Sequence, residues 1–365
     1  MSTLNNEAES AVLWNFASKF GKRLVTVVIG IILARLLSPT EYGLMGMAMV
    51  FIGVASLIVD FSTGLAIINK QEISNNELSS IFWFNLLIGF IVTIITCFFS
   101  KAIANFYGHP ILRNIVVVIS LTYIFSSINV VQVSLLKRSL NFKTIFKVQQ
   151  FASIISGIIA VVLAFLDFSF WALVSQVMAS SFITLTLTWW YSNWRPSFHF
   201  DFRDIKGLLN YSLPLFINQF MNYWARKLDD ILIGKFHGTD QLGIYTKAYS
   251  FMTMPSKNIT LVLHNVLFPV YSKLQNNIKK IRKIFLLSIQ LVCSLVLPLM
   301  AFLYLTANSF ITTVFGHQWI EMLYVFKLFC IVGAIEAFTI MTGAVIMARK
   351  ETKLVLYLGI VAKVT

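Results

Sequence analysis

Three features of the sequence predict an all-α protein that crosses a membrane many times. Apolar residues fill 58% of the 365 positions and charged residues only 12%, about half the ~25% of ordinary soluble domains. Apolar stretches of about twenty residues, each long enough for a helix to cross a hydrocarbon core, recur along the whole chain. Lys and Arg gather in alternate connecting segments. A mean hydropathy of +0.78 excludes a water-soluble protein, and the ten-residue alternating segments of a membrane β-barrel are absent.

Windows of about nineteen residues place helices near 14–37, 43–68, 79–100, 114–135, 148–166, 170–191, 209–235, 243–270, 284–306 and 322–347. The opening MSTLNNEAES holds two glutamates and no cation, so it lacks the charged region of a cleaved signal, and the first apolar segment is expected to remain a helix. Only eleven apolar residues, Leu24 to Ala34, precede Arg35. This helix therefore reaches spanning length only by extending back through Arg23, Lys22 and Lys19. Ser38 and Pro39 are expected to end it, and Gly43 to begin the second. In the eighth helix Pro255 is expected to break the run MTMPSKNIT. An eleventh apolar run starts near Leu354 and has twelve residues to Thr365, too few to cross a bilayer, so a second lobe truncated in its eleventh helix is expected.

With the N-terminus cytoplasmic, sixteen Lys and Arg fall in cytoplasmic connections and four (Arg35, Lys101, Arg113, Lys235) on the other side. That is the positive-inside pattern. Topology thus accounts for most of the +14 net charge without nucleic acid as a partner, and a basic surface suits anionic membrane lipids.

Six helices precede YSNWRPSFHFDFRDIKGLLNY, the most polar stretch of the chain. It divides an N-terminal lobe, 1–195, from a C-terminal lobe, 196–365, that holds helices seven to ten and part of an eleventh. Because six is even, the second lobe re-enters with the orientation of the first, as parallel repeats do. At an offset of 200, Leu13, Phe16, Phe20, Ile31, Gly43, Ala48 and Phe51 recur as Leu213, Phe216, Phe220, Ile231, Gly243, Ala248 and Phe251, and Arg35 becomes Lys235.

Charges inside the spans are the candidate functional groups. Lys19, Lys22 and Arg23 share one face of the first helix. A cation near mid-membrane costs about 2.5–3.5 kcal/mol on insertion scales, and this helix holds no carboxylate to offset it. Lys19 can snorkel to the headgroups; Arg23 lies nearer the middle. A hydrated cavity with such cations suits an anion, phosphate above all. In the seventh helix Arg226 is followed by Asp229 and Asp230, spaced for a self-neutralised patch or for a gating or ion-coupling site. Asp60 can reach water or a first-helix cation. Glu336, within IVGAIEAFTIM, is either a hydrogen-bonded buried carboxyl or a proton- or cation-coupling group.

Other chemistry finds no support. Cys97, Cys293 and Cys330 lie inside apolar runs and read as small buried hydrophobes. The five histidines are scattered without metal-ligand spacing, and neither a phosphate-binding G-x-x-x-x-G-K-[ST] loop nor a D-x-D occurs. No cofactor is expected.

The stretches GIILARLLSPTEYGLMGMAMVFIGVASLIVDFSTGLAIINKQ, DDILIGKFHGTDQLGIYTKAYSFMTMPSKNITLVLHNVLFPVYSKLQ and FGHQWIEM resemble Wzx-type polysaccharide flippases. The likeness is to the colanic-acid-exporter branch of the multidrug/oligosaccharidyl-lipid/polysaccharide superfamily. It implies a MATE-like arrangement of two six-helix lobes around a central cavity with alternating access. It also implies transport of undecaprenyl-diphosphate-linked oligosaccharide across the bacterial inner membrane, with a polysaccharide polymerase and a chain-length regulator as further partners. On that reading Lys22 and Arg23 contact the diphosphate, Lys19 meets it first, Arg226 contributes from the second lobe, and Trp14 and Trp224 are candidate sugar contacts. The alternatives are a cation-coupled multidrug exporter of the same superfamily, a membrane enzyme of polysaccharide assembly and a non-transporting truncated remnant.

The first helix generates a test. Arg23→Ala should abolish export while the protein still inserts, and surface polysaccharide in a complemented deletion strain measures it. Normal polysaccharide would remove Arg23 from the transport step.

Overall fold

A cap starts the second helix earlier than the glycine after the turn suggested. In the computed structural model, which describes residues 21, 24–61, 63–273 and 278–348, the Ser38 N–H and hydroxyl donate to the Glu41 carboxylate at 2.6 and 2.9 Å. Pro39 occupies the first helical turn, where its missing N–H costs nothing. Ser38 and Pro39 thus open a helix, and Gly43 lies within it.

The helices are α1 (Leu24–Leu36), α2 (Pro39–Asp60), α3 (Thr63–Asn69), α4 (Asn75–Tyr107), α5 (Leu112–Arg138), α6 (Phe142–Phe165), α7 (Trp171–Tyr191), α8 (Phe202–Lys273), α9 (Ile278–Leu305), α10 (Ala307–Val314) and α11 (Met322–Ala348). A 3-10 turn, His317–Trp319, lies between the last two. Among the described residues six segments are long and apolar enough to cross a membrane: Pro39–Asn69, Asn75–Tyr107, Leu112–Arg138, Phe142–Phe165, Trp171–Tyr191 and Lys279–Leu305.

Two interruptions differ from expectation. The second span divides at Phe61, whose φ of 39° is left-handed and ends α2. In α8 the break falls at Gly238 (φ 85°, ψ −174°), while the backbone stays helical through Pro255. Gly238 is free of the steric penalty a side chain meets at that φ. The helices also outrun the apolar windows, since α8 begins at Phe202 and α9 at Ile278, where charged turns continue the helix beyond the hydrocarbon.

The described chain forms two compact units, Met1–Leu242 and Gly243–Thr365. Within the first, α4 shows the packing logic of a membrane bundle. Asn85, Gly89, Thr93, Thr96 and Ser100 are on its buried side, whereas Leu87, Ile91, Ile94 and Phe98 are exposed at helical spacing. Large apolar side chains meet lipid, and small or hydroxyl residues let helices approach and bond. Ser127 of α5 packs over Gly89, Thr93 Oγ1 donates to the Gly89 carbonyl at 2.7 Å, and Asn85 donates to Thr63 at 3.0 Å. Met47, Ala48 and Ile52 of α2 are buried in one cluster with Ile115, Val116, Ile119 and Tyr123 of α5. Leu33 and Leu37 pack with Ala160 and Ala164 of α6. In the second unit Val292, Val296 and Met300 of α9 pack against Ala334 of α11.

The N-terminal arm of α8 runs antiparallel to α2 along most of its length. Phe61 stacks on Phe216 at 4.9 Å between centroids. Midway, the Tyr223 hydroxyl donates to the Val50 carbonyl at 2.7 Å and occupies the space a side chain at Gly53 would need. Further on, Gly234 faces Met47, and Gly43 lies against the Thr239 backbone with no room for a Cβ. At the end Thr40 donates to Asp240 at 2.5 Å. These last partners stand 200 positions apart, so the two repeat-equivalent turns meet each other. Equivalent positions also share environments. Ala48 and Ala248 are fully buried, while Phe51 and Phe251 each meet aromatic edges, at Tyr107 and Phe315.

Overpacking this seam should be measurable. Gly53→Val is expected to destabilise the protein by about 1–3 kcal/mol, seen as a lower unfolding temperature in detergent, with part of the loss recovered when Tyr223→Ala is added.

Candidate functional site: a polar cavity beside the seam

Residues that favour water collect at one end of the seam. Ser56 and Asp60 of α2, Gly64 of α3, Ser126, Asn129, Ser134 and Lys137 of α5, and Gln219 of α8, set among the apolar Val59, Leu65, Ile68, Val130 and Val133, line a cavity of about 470 Å³. Helical periodicity builds its α5 wall, because Ser126, Asn129, Val130, Val133 and Lys137 follow one another at steps of one to four residues on one face. The left-handed Phe61 builds the opposite corner by turning the chain between α2 and α3. Thr63 Oγ1 holds that corner, donating to the Asp60 carbonyl at 2.9 Å. Gly64 lets α3 close on α5, since a Cβ there would sit 2.9 Å from the Ser134 hydroxyl.

The cavity pairs one carboxylate and one ammonium with amides and hydroxyls. Asp60 is half-buried, and neither it nor Lys137 makes an ion pair within 4.0 Å among the described residues. Asn129 Oδ1 is buried without a hydrogen-bond partner, as are both polar atoms of Gln132 on the neighbouring face. Such groups normally find partners in a folded interior. An amide and hydroxyl wall with a single charge of each sign can bind a neutral polyol or an anionic group bonded to one.

A second polar cluster lies further along α8. Lys227 Nζ donates to Asp230 at 2.5 Å; Asp230 is buried and Lys227 half-exposed. The Asp230 N–H donates to Asp229 Oδ1 at 2.9 Å. The pairing expected for Arg226 therefore falls to its neighbour. Arg226 is exposed, while Lys227 stands on the half-buried side that carries Asp230. Lys235, near the end of this arm, donates to the Phe106 carbonyl and lies 4.9 Å from the centre of that ring, which anchors α8 to the end of α4.

The other sequence candidates are dispersed. Trp224 is half-buried and meets Phe220 and Tyr223 edge-on at 6.2 and 6.5 Å. Glu336 is half-buried on α11, in the second unit. Trp14, Lys19, Lys22 and Arg23 lie outside the described residues, as does the run after Leu354. Sequence reasoning singled out Asp60 but missed its neighbours. The signal was there, in polar residues recurring on one face inside an apolar span, yet none but Lys137 is charged.

Helices with polar interiors and apolar outer faces, six of the described segments long enough to span a bilayer, define the class as a polytopic helical membrane protein. Among solved structures, an inward closed conformation of the lipid II flippase MurJ superposes with a TM-score of 0.74 at 15% identity, covering 93% of this chain and 76% of that one. An inward-facing multidrug resistance MATE family transporter superposes at 0.67 and 16% identity, covering 91% and 82%. The family follows from sequence: residues 32–324 match the model described as polysaccharide biosynthesis protein, and the chain belongs to that family. It is similar to the teichuronic acid biosynthesis protein TuaB of Bacillus subtilis (strain 168), 27% identical over 98% of this chain and 74% of the relative. It is similar also to the lipopolysaccharide biosynthesis protein WzxC of Escherichia coli (strain K12), 25% identical over 91% and 69%. The likeness to the flippase and to the MATE transporter is one of fold, and the membership in the polysaccharide biosynthesis family is one of sequence.

The Lys227–Asp230 pair is testable by a cycle. Lys227→Met should cost about 1–3 kcal/mol by leaving a buried carboxylate without its donor, and Lys227→Met with Asp230→Leu should cost less than the single change. Thermal unfolding of the three proteins in one detergent compares them.

Proposed function

We propose that this protein is a flippase that moves lipid-linked oligosaccharide repeat units, carried on a diphosphate, from the cytoplasmic to the outer leaflet of the bacterial inner membrane for surface polysaccharide synthesis. The observation that carries the reading is the Asp60–Asn129–Lys137–Gln219 cavity in a chain of the polysaccharide biosynthesis family. Sugar hydroxyls both donate and accept, so a wall of amides, hydroxyls and one carboxylate matches them. The lipid tail stays in the bilayer, and only the head group needs a polar route.

In this reading the N-terminus is cytoplasmic and the lobes are 1–195 and 196–365. Lys19, Lys22, Arg23 and Arg226 neutralise the diphosphate, and Trp14 and Trp224 contact sugars. Asp60, Asp229, Asp230 and Glu336 are the candidates for ion coupling or gating. A polymerase and a chain-length regulator act on the product.

Alternating access then requires the seam to open and close, and the repeat-equivalent turns at Thr40 and Asp240 belong to the outward gate. A Thr40→Cys/Asp240→Cys protein oxidised to a disulfide should lose most transport of a lipid-linked oligosaccharide in proteoliposomes and regain it on reduction. Full transport by the cross-linked protein would overturn this gate. Asp60→Ala should lower transport at least tenfold with insertion unchanged; wild-type rates would separate the cavity from the transport path.

A further inference from the structure

The connector between α7 and α8, residues 192–201, has no regular secondary structure, yet the odd-numbered residues of its second half are hydrogen-bonded. Ser197 donates from its N–H and hydroxyl to Ser79 Oγ at 3.1 and 2.9 Å, and its carbonyl accepts from Trp83 Nε1 at 2.9 Å. His199 Nε2 lies 3.1 Å from Asp204 Oδ2, which also accepts from Ser80 Oγ at 2.9 Å. The Asp201 N–H donates to Ser80 Oγ at 3.1 Å. Ser197 and Asp201 thus fasten the connector to the first turns of α4, and His199 is tied in through Asp204 of α8. Between them Phe198, Phe200 and Phe202 are 97%, 52% and 54% exposed.

We propose that these three phenylalanines form a membrane-binding edge that sits in the headgroup–acyl boundary of the leaflet at this end of α4 and α7, with Arg195, Arg203 and Lys206 engaging anionic headgroups. Three features select lipid as the occupant. The edge continues the aromatic end of α7, where Trp190 is 81% exposed and Tyr191 is also exposed, and such belts mark membrane–water boundaries. Both helices it joins to, α4 and α7, are long and apolar enough to cross a membrane, so their ends lie at that boundary. The three cations are exposed beside the aromatics, the charge that attracts an anionic leaflet. Arg195 is held in place by bonds to the Ser192 and Trp189 carbonyls at 2.6 and 3.1 Å, with its guanidinium 5.3 Å from the Trp189 ring centre.

The consequence is mechanical. One edge of the connector is bonded to α4 and the other is in lipid, so the start of α8 is fixed in both depth and azimuth. The inference needs the chain to span a membrane and does not depend on what it transports.

The test is a depth measurement on the full chain with Cys97, Cys293 and Cys330 changed to alanine. A nitroxide is placed at Phe198→Cys, Phe200→Cys or Asn193→Cys, and collision with oxygen and with a water-soluble nickel chelate is compared in liposomes. Phe198 is almost fully exposed, and its replacement gives up a stacking contact with Trp83 at 5.8 Å between ring centres while Phe200→Cys leaves that contact in place. Positions 198 and 200 should favour oxygen over the chelate, with the order reversed at 193. In liposomes containing phosphatidylglycerol the preference should grow, and Arg195→Gln/Arg203→Gln/Lys206→Gln should abolish that growth. Free collision of the chelate at 198 and 200 overturns the membrane edge and leaves a surface facing water or a protein partner. An oxygen preference indifferent to anionic lipid overturns the headgroup contact. Transport is not read, so failure here is distinguishable from failure of the flippase reading.

Discussion

The first unit depends on how closely the backbone of α2 can approach that of α8. Gly43 meets the Thr239 backbone and Gly53 meets the Tyr223 hydroxyl, each where a Cβ could not fit. In a bilayer no hydrophobic force drives apolar helices together, because lipid tails solvate leucine as well as another leucine does. Dispersion between closely fitted surfaces and hydrogen bonds must do it. Glycines supply the fit, and the Tyr223–Val50 and Thr40–Asp240 bonds add direction. Between the Phe61–Phe216 stack at one end and the Thr40–Asp240 bond at the other, backbone-to-backbone approach at Gly43 replaces side-chain interdigitation. That property suits a contact that must open.

The same constraint distributes polarity. α4 and α5 turn hydroxyls and amides inward because lipid cannot satisfy them, and serine and threonine bond mainly to carbonyls of their own helix, as in Thr93 to Gly89 and Ser134 to Val130. Where the helices diverge, at the break between α2 and α3, those polar faces line space instead of each other. The cavity is thus a product of the packing rule: where a bundle built on small polar contacts opens, amides, hydroxyls and charges face the space among valines and isoleucine.

The architecture was legible because membrane spans need length and hydropathy, and both are linear in sequence. Six of the windows coincide with spanning segments, and Ala48 and Ala248, matched at the 200-residue offset, are both buried. Helix ends were less legible. Ser38 and Pro39 can end one helix or start the next, and Glu41, three residues on, decides it by reaching back to Ser38. Pro255 and Gly238 are both potential breaks, but the proline only weakens a helix, whereas a left-handed φ ends it. Of the candidate site residues, charge drew attention to Asp60 and Asp230. Asn129, Ser134 and Gln219 escaped notice because a single amide or hydroxyl in an apolar helix carries little signal until a second helix supplies its neighbours. Arg226 and Lys227 could not be told apart by spacing, since both can reach a carboxylate; burial of Asp230 on one side of α8 chose between them.

The bonds at the two ends of the α8 arm are unequal, and that inequality bears on how the seam opens. At its start, Ser197, Asp201 and Asp204 bond to Ser79 and Ser80, and Trp83 bonds to Ser197, all on α4. At its other end the described contacts are Lys235 with Phe106 and Thr40 with Asp240, next to a glycine whose backbone is already out of the helix. In the proposed gate the connector end, bonded to α4, is the pivot, and the repeat-equivalent turns are the contact that parts. As the arm swings, the Tyr223 hydroxyl that is seated over Gly53 and donates to Val50 has to withdraw. The pivot lies at Ser79, Ser80 and Trp83, far along α4 from the Phe106 contact.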